Sequence, residues 1–170
     1  MPANKPGYSA LRKFRHSAPE TKYFLTLNLA GRTAGLEKTA VTRAIMMMWN
    51  RLEQANWWTV RTAVVMPYHL HLLVRLGREA PLADCLRRFK GGLVPKLRRA
   101  YLSWQNGFYE HRMRDDEDRL SVFLYIFLNP YRAGLLPQSR LWAGYHCAAD
   151  DWKWFEAMTD NHCPMPEWLR

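Results

Sequence analysis

Residues 58–76 read WTVRTAVVMPYHLHLLVRL. The first nine are β-branched or apolar apart from Arg61, Pro67-Tyr68 breaks the run, and His69 to Leu76 resumes it. That pattern predicts a β-hairpin, or two strands with a tight connection, over 58–66 and 69–76. Side chains alternate faces along a strand, so His69 and His71 leave one face together while Leu70 enters the layer behind. Two imidazoles on one rigid face can grip a divalent metal. The competing reading is a pair of histidines on a solvated or half-buried strand.

Working outward, YFLTLN at 23–28 is aromatic and β-prone and reads as the preceding strand. Between the two, Val41, Ala44, Ile45, Met48, Trp49 and Leu52 recur at helical spacing within 39–56, with Thr39 as the expected cap. The Met46-Met47-Met48 run there reads as core packing. Downstream, Leu82, Leu86, Phe89, Leu93 and Leu97 predict a helix over 82–104, kinked or broken at Gly91, Gly92 and Pro95. GFYEHRMR at 107–114 reads as a fourth strand. The acidic run Asp115 to Asp118 suits a helix N-terminus, and that helix is expected to reach about Leu128, with Pro130 and Gly134 marking its end. A short tryptophan-rich helix follows around Asp150–Met158.

The order strand, helix, strand, strand, helix, strand, helix predicts an α+β chain. Its core is a ferredoxin-like split βαβ unit: a four-stranded antiparallel sheet with helices on one face, plus an added C-terminal helix and tail. Residues 1–20 read as a basic arm (Lys5, Arg12, Lys13, Arg15, His16), 21–145 as the functional domain, and 146–170 as a tail.

A chain of 170 residues suffices for one domain with a core, and 48% apolar or aromatic content excludes a disordered chain. A formal charge of +10 points to a polyanionic partner, either nucleic acid or an acidic membrane face. An ordinary basic soluble protein is the alternative. No apolar run reaches membrane-spanning length and no signal-peptide stretch follows Met1, so a cytoplasmic protein is expected. Cys85, Cys147 and Cys163 form no CxxC pair and are expected to be reduced thiols; His146-Cys147 and His162-Cys163 match no zinc spacing.

The second chemical element is LYIFLNP at 124–130. On a helix, Tyr125 and Asn129 are i and i+4 and share a face. Asn129 offers a carbonyl oxygen, a third ligand suited to Mg²⁺ or Mn²⁺, which would bring Tyr125 beside the metal. A surface tyrosine with an asparagine C-cap before proline is the competing reading.

Taken in order, these segments resemble one family. Met66-Pro67-Tyr68-His69-Leu70-His71-Leu72-Leu73 looks like the His-hydrophobic-His box of the HUH single-tyrosine transposases. The stretch from Trp104 to Asp115, then Asp118, Tyr125-Ile126 and Asn129-Pro130-Tyr131-Arg132-Ala133-Gly134-Leu135, resembles the REP-associated tyrosine transposases, a branch of that family. Tyr23 to Asn28 resembles the family's first strand, so the likeness covers about residues 10–145. It implies that His69, His71 and Asn129 bind the metal and that Tyr125 is the nucleophile. One departure is Tyr68, where the family commonly carries Asp, Asn or Glu. Tyr68 and Tyr131 are rival nucleophiles, but neither has an asparagine four residues on.

The resemblance implies a metal-dependent endonuclease and transposase that cleaves and rejoins single-stranded, hairpin-associated DNA through a 5′-phosphotyrosine, acting at the nucleoid as a monomer or homodimer. Phosphate contacts are expected from Arg12, Lys13, Arg15, Arg87, Arg88, Lys90, Lys96, Arg98, Arg99, Arg112, Arg114 and Arg132. Tyr8, Phe14, Trp57 and Trp58 are candidates for base stacking, with core packing the expected role of most. Two alternatives stand beside this reading. One is a domesticated hairpin-binding module without cleavage; the other is an RNA-binding sheet with exposed stacking aromatics.

Overall fold

The computed structural model describes residues 17–169, so Tyr8, Arg12, Lys13, Phe14 and Arg15 lie outside the described residues. The chain builds strand β1 (Lys22–Asn28), helix α1 (Thr39–Gln54), strands β2 (Trp58–Val65) and β3 (His69–Leu76), and helix α2 (Leu82–Arg99). Strand β4 (Tyr109–Arg112), helix α3 (Arg119–Arg132), strand β5 (Tyr145–Cys147) and helix α4 (Ala149–Phe155) follow. All strand pairings are antiparallel, in the order β4-β1-β3-β2-β5. The split βαβ expectation is met for the first four strands, and the strand count is corrected to five. Tyr145–Cys147 is too short to carry a period-two signal, and it becomes a strand by pairing with β2.

The sheet is covered on both faces. One core joins Leu25, Leu27, Leu70, Leu72 and Val74 to Ile45 and Trp49 of α1 and to Phe89 and Leu93 of α2. The other joins Val64 and Leu73 to Phe123, Ile126 and Phe127 of α3 and to Phe155 of α4. The alternation read from 58–76 thus decides which layer each side chain enters: Leu70 and Leu72 go to the α1/α2 layer, His69, His71 and Leu73 to the α3 layer.

Several expectations are revised. Helix α2 runs unbroken from Leu82 to Arg99 with Pro95 inside it. Burial of Leu82, Cys85, Leu86, Phe89, Leu93 and Leu97 along one side outweighs the weak local propensity at Gly91, Gly92 and Pro95. Helix α3 likewise passes through Pro130 to Arg132 and ends where Gly134 takes a φ of 65°. Its N-cap is Asp118, whose carboxylate accepts from the Leu120 and Ser121 amides, so Asp115–Glu117 precede the helix. Thr39 is the first residue of α1, capped by Lys38 without a side-chain bond. Trp58, 1% exposed, belongs to the core.

No disulfide links Cys85, Cys147 or Cys163. Among the described residues no helix is long and apolar enough to cross a membrane.

Candidate active site

The site lies where β3 and α3 face each other. Strand β3 pairs with β1 so that His71 stands opposite Thr26 and Leu73 opposite Phe24. Thr26 Oγ1 lies 2.9 Å from His71 Nδ1, which fixes the ring through a hydrogen bond from a side chain 45 residues away. Phe24 stacks on His71 with centroids 5.5 Å apart and planes 21° from parallel. The His69 and His71 rings meet edge-on at 4.6 Å.

Helix α3 runs back across these strands. Phe123, Ile126 and Phe127 are buried beneath it, which turns Tyr125 and Asn129 toward the histidines. The Tyr125 ring is 5.2 Å from His71 and 5.7 Å from Phe24, both edge-to-face, and it stays 45% exposed. Asn129, one turn on from Tyr125, neighbours the His69 imidazole and acts on it as a hydrogen-bonding group. The four residues singled out in the sequence, His69, His71, Tyr125 and Asn129, therefore converge.

Burial pushes the His71 imidazole down to about 3, with the charge of neighbouring His69 acting in the same direction. Burial also lowers His69, and the Asn129 hydrogen bond opposes it. Both rings are therefore neutral near pH 7 and keep a nitrogen lone pair. His69 Nδ1 is buried and has no hydrogen-bond partner. Among the described residues no three His, Cys, Asp or Glu side chains cluster as a metal site, so any ligand set here rests on two imidazoles and an amide.

The rival tyrosines sit differently. Tyr131 is 8% exposed, donates to the Arg140 carbonyl at 2.9 Å, and is pushed up to about 12 by burial. Tyr68 is exposed at the strand connection, its ring 4.8 Å from His69.

The basic residues do not form one patch. Arg87, Arg88, Lys90, Lys96, Arg98 and Arg99 belong to α2, on the layer opposite Tyr125. Arg87 pairs with Asp84 at 3.1 Å, and Lys90 donates to the Gln105 and Gly107 carbonyls, bracing the loop before β4. Arg112 and Arg114 line a groove beside β4, nearer the histidines, and Arg132 ends α3. Sequence reasoning missed Thr26 and Phe24; their role follows from strand register, which no local pattern displays.

With this geometry in hand, comparison with known proteins is informative. No protein-family model matches the chain. A solved structure of a REP-associated tyrosine transposase bound to a REP hairpin superposes with a TM-score of 0.63, covering 73% of this chain and 74% of that one. The fold is that of a REP-associated tyrosine transposase. Sequence identity across that superposition is 23%, so the likeness is one of architecture. An uncharacterized protein of Haemophilus influenzae is 27% identical over 39% of this chain and 51% of its own, so the chain spans about half the length of the curated relative it matches. In this chain β5 pairs with β2 at the edge of the sheet, and the tail packs on α3.

Proposed function

We propose that this chain is a metal-dependent single-strand DNA endonuclease and transposase that cleaves and rejoins hairpin-associated DNA through a 5′-phosphotyrosine on Tyr125. The observation that carries the reading is the convergence of Tyr125 from α3 with His69 and His71 from β3 and Asn129 one turn further on. The transposase fold, and the REP hairpin bound to the solved example, support DNA as the partner.

The residues fit a divalent cation. A buried, unpartnered His69 Nδ1 costs about 1–3 kcal/mol, which a bound ion would remove. With His71 Nδ1–H donating to Thr26 Oγ1, His71 Nε2 keeps its lone pair. His69, His71 and Asn129 would hold the ion, and an amide oxygen with two imidazoles suits Mn²⁺ or Mg²⁺. Such an ion neutralises charge at the phosphoryl oxygens when bound.

The chain's own residues then orient and react. Phe24 and His71 hold the Tyr125 ring from two sides while its partial exposure leaves the hydroxyl open to a strand. The Tyr125 oxygen forms a bond to phosphorus as the phosphorus–O3′ bond breaks, and the departing oxygen takes a proton to become a free 3′-hydroxyl. Attack by a 3′-hydroxyl on the phosphotyrosine reverses the step and joins the strands. Basic side chains on β4 and α3 engage neighbouring phosphates. The RNA-platform alternative leaves the converged His69, His71, Tyr125 and Asn129 without a role, and α3 and α4 cover part of the face that carries Phe24.

Incubation with hairpin-bearing single-stranded DNA and Mn²⁺, followed by a denaturing gel, tests the reading. A covalent adduct should form, vanish in Tyr125→Phe, and vanish in His69→Ala/His71→Ala while the circular dichroism of the fold persists. Undiminished adduct in Tyr125→Phe would move the nucleophile; undiminished adduct in the double-histidine variant would defeat the ligand assignment.

A further inference from the structure

We infer that Lys22, Arg61, Arg75 and Arg119 form a phosphate pocket, separate from the histidine site, that grips the backbone of the bound single strand some way from the cut. The inference rests on the DNA reading above and gives the strand a path. The four cations line a cavity of about 190 Å³ at the far end of the same sheet face, between the N-terminus of α3 and the sheet.

Three features show that the cavity is built. Arg61 occupies a β-bulge: Val60 pairs with Val74 and Thr62 with Leu73, leaving Arg61 without a partner in the ladder. The bulge puts Arg61 and Thr62 on the same α3 face, where Arg61 meets α4 and Thr62 donates to Tyr145; regular alternation would have separated them. Second, Asp151, 3% exposed, lies behind the guanidiniums as their counter-charge: Arg61 Nε is 2.6 Å from its Oδ2, and Arg119 Nη1 is 3.6 Å from its Oδ1. Arg119 is further held flat, 3.9 Å over the Trp154 ring. Third, Lys22 and Arg75 stand directly opposite on β1 and β3 and bring like charges together, an unfavourable pairing unless an anion joins them. Within the cavity four cations face one carboxylate, buried Asp151, while Glu20 pairs with Arg75 at 3.3 Å.

The pocket connects to Tyr125. A groove of mixed charge, with Lys22, Arg112, Arg114 and Arg119 beside Glu20, Glu110, Asp115 and Glu117, leads to a hollow of about 230 Å³ beside the nucleophile, walled by Phe24, Tyr109, Met113 and Val122. Along β3, Arg75 is four residues beyond His71, about 13 Å at the rise of an extended strand, which a few nucleotides span. An unpaired base against the aromatic wall and a downstream phosphate on the four cations fit this alternation of apolar hollow and cationic pocket.

The test uses the full chain in chelator, so that no cleavage intervenes, with two probes: labelled octathymidylate read by anisotropy, and inorganic phosphate read as a rise in Tm. Lys22→Gln/Arg75→Gln should weaken octathymidylate about tenfold and abolish the phosphate effect. Lys22→Arg/Arg75→Lys should restore both. A charge-matched control on α1, Lys38→Gln/Arg43→Gln, should change either by less than about twofold. Equal loss in the pocket pair and the control pair, or a phosphate effect that survives in the pocket pair, would overturn the pocket. Loss of the phosphate effect with undiminished octathymidylate binding would overturn its placement on the DNA path and assign it to free phosphate. Wild-type chain that ignores octathymidylate but responds to phosphate through Lys22 and Arg75 would defeat the DNA reading while the anion pocket stands.

Discussion

His71 is held by a residue 45 positions earlier, and that distance separates what a local pattern can and cannot show. The HxH spacing places His69 and His71 on one face, and the i, i+4 spacing places Tyr125 beside Asn129; both follow from the periods of strand and helix alone. Thr26 and Phe24 are invisible at that scale because they depend on the β1–β3 register, and Arg61 because it depends on a bulge. The same burial that holds the histidines has a consequence for stability. His71 is lowered to about 3 from an ordinary 6.5, and His69 and His146 are lowered as well. Below about pH 6.5 the unfolded chain therefore takes up protons that the folded chain refuses, so stability falls as pH drops, for His71 by up to about 1.4 kcal/mol per pH unit between 6.5 and about 3. Glu117 and Asp118, held low by hydrogen bonds, add to the loss at the acid end of that window, whereas Glu53, raised by burial, opposes it. Urea titrations of metal-free protein across this range should show the slope, and His71→Gln should flatten it; an unchanged slope would mean that His71 titrates normally.

At the scale of elements, the two helices that the sequence appeared to interrupt are both continuous. Gly91, Gly92 and Pro95 weaken α2 locally, yet the apolar stripe from Leu82 to Leu97 holds it against the sheet. Gly92 has a packing reason to be small, since an added Cβ would come 2.7 Å from Met48 Sδ. Gly91 has none: an added Cβ would meet nothing within 4 Å, and the residue sits in mid-helix. Gly91→Ala should therefore stabilise the protein by about 0.5–1 kcal/mol, read as a higher urea midpoint with unchanged slope. A lower midpoint would mean that α2 is strained at this turn. Helix α3 continues past Pro130, which keeps Asn129 inside the helix instead of at its end and so keeps the one-turn offset from Tyr125. Strand β5 stayed hidden because three residues carry no period; pairing with β2 defines it.

For the molecule as a whole, the sheet separates two tasks. The α1/α2 face is the larger core, while the α3/α4 face carries a smaller core at one end and the histidines, Tyr125 and the cavity lined by Lys22, Arg61, Arg75 and Arg119 along its length. The tail, residues 146–170, supports α3: Phe155 packs against Phe123 and Phe127 at 5.7 and 5.3 Å, and Asp151 ties α4 to β2 and α3. Among the described residues, basic side chains lie on both faces of the sheet, so charge alone indicates a polyanion partner without locating it. The most direct test of the account is where the DNA becomes attached. After reaction with hairpin-bearing single-stranded DNA and Mn²⁺ and nuclease trimming, tryptic digestion releases the peptide Leu120–Arg132, which contains both Tyr125 and Tyr131. Fragment-ion mass spectrometry should place the nucleotide phosphate on Tyr125. A phosphate on Tyr131 or Tyr68, or a cleaved strand with no protein-linked phosphate, would contradict it.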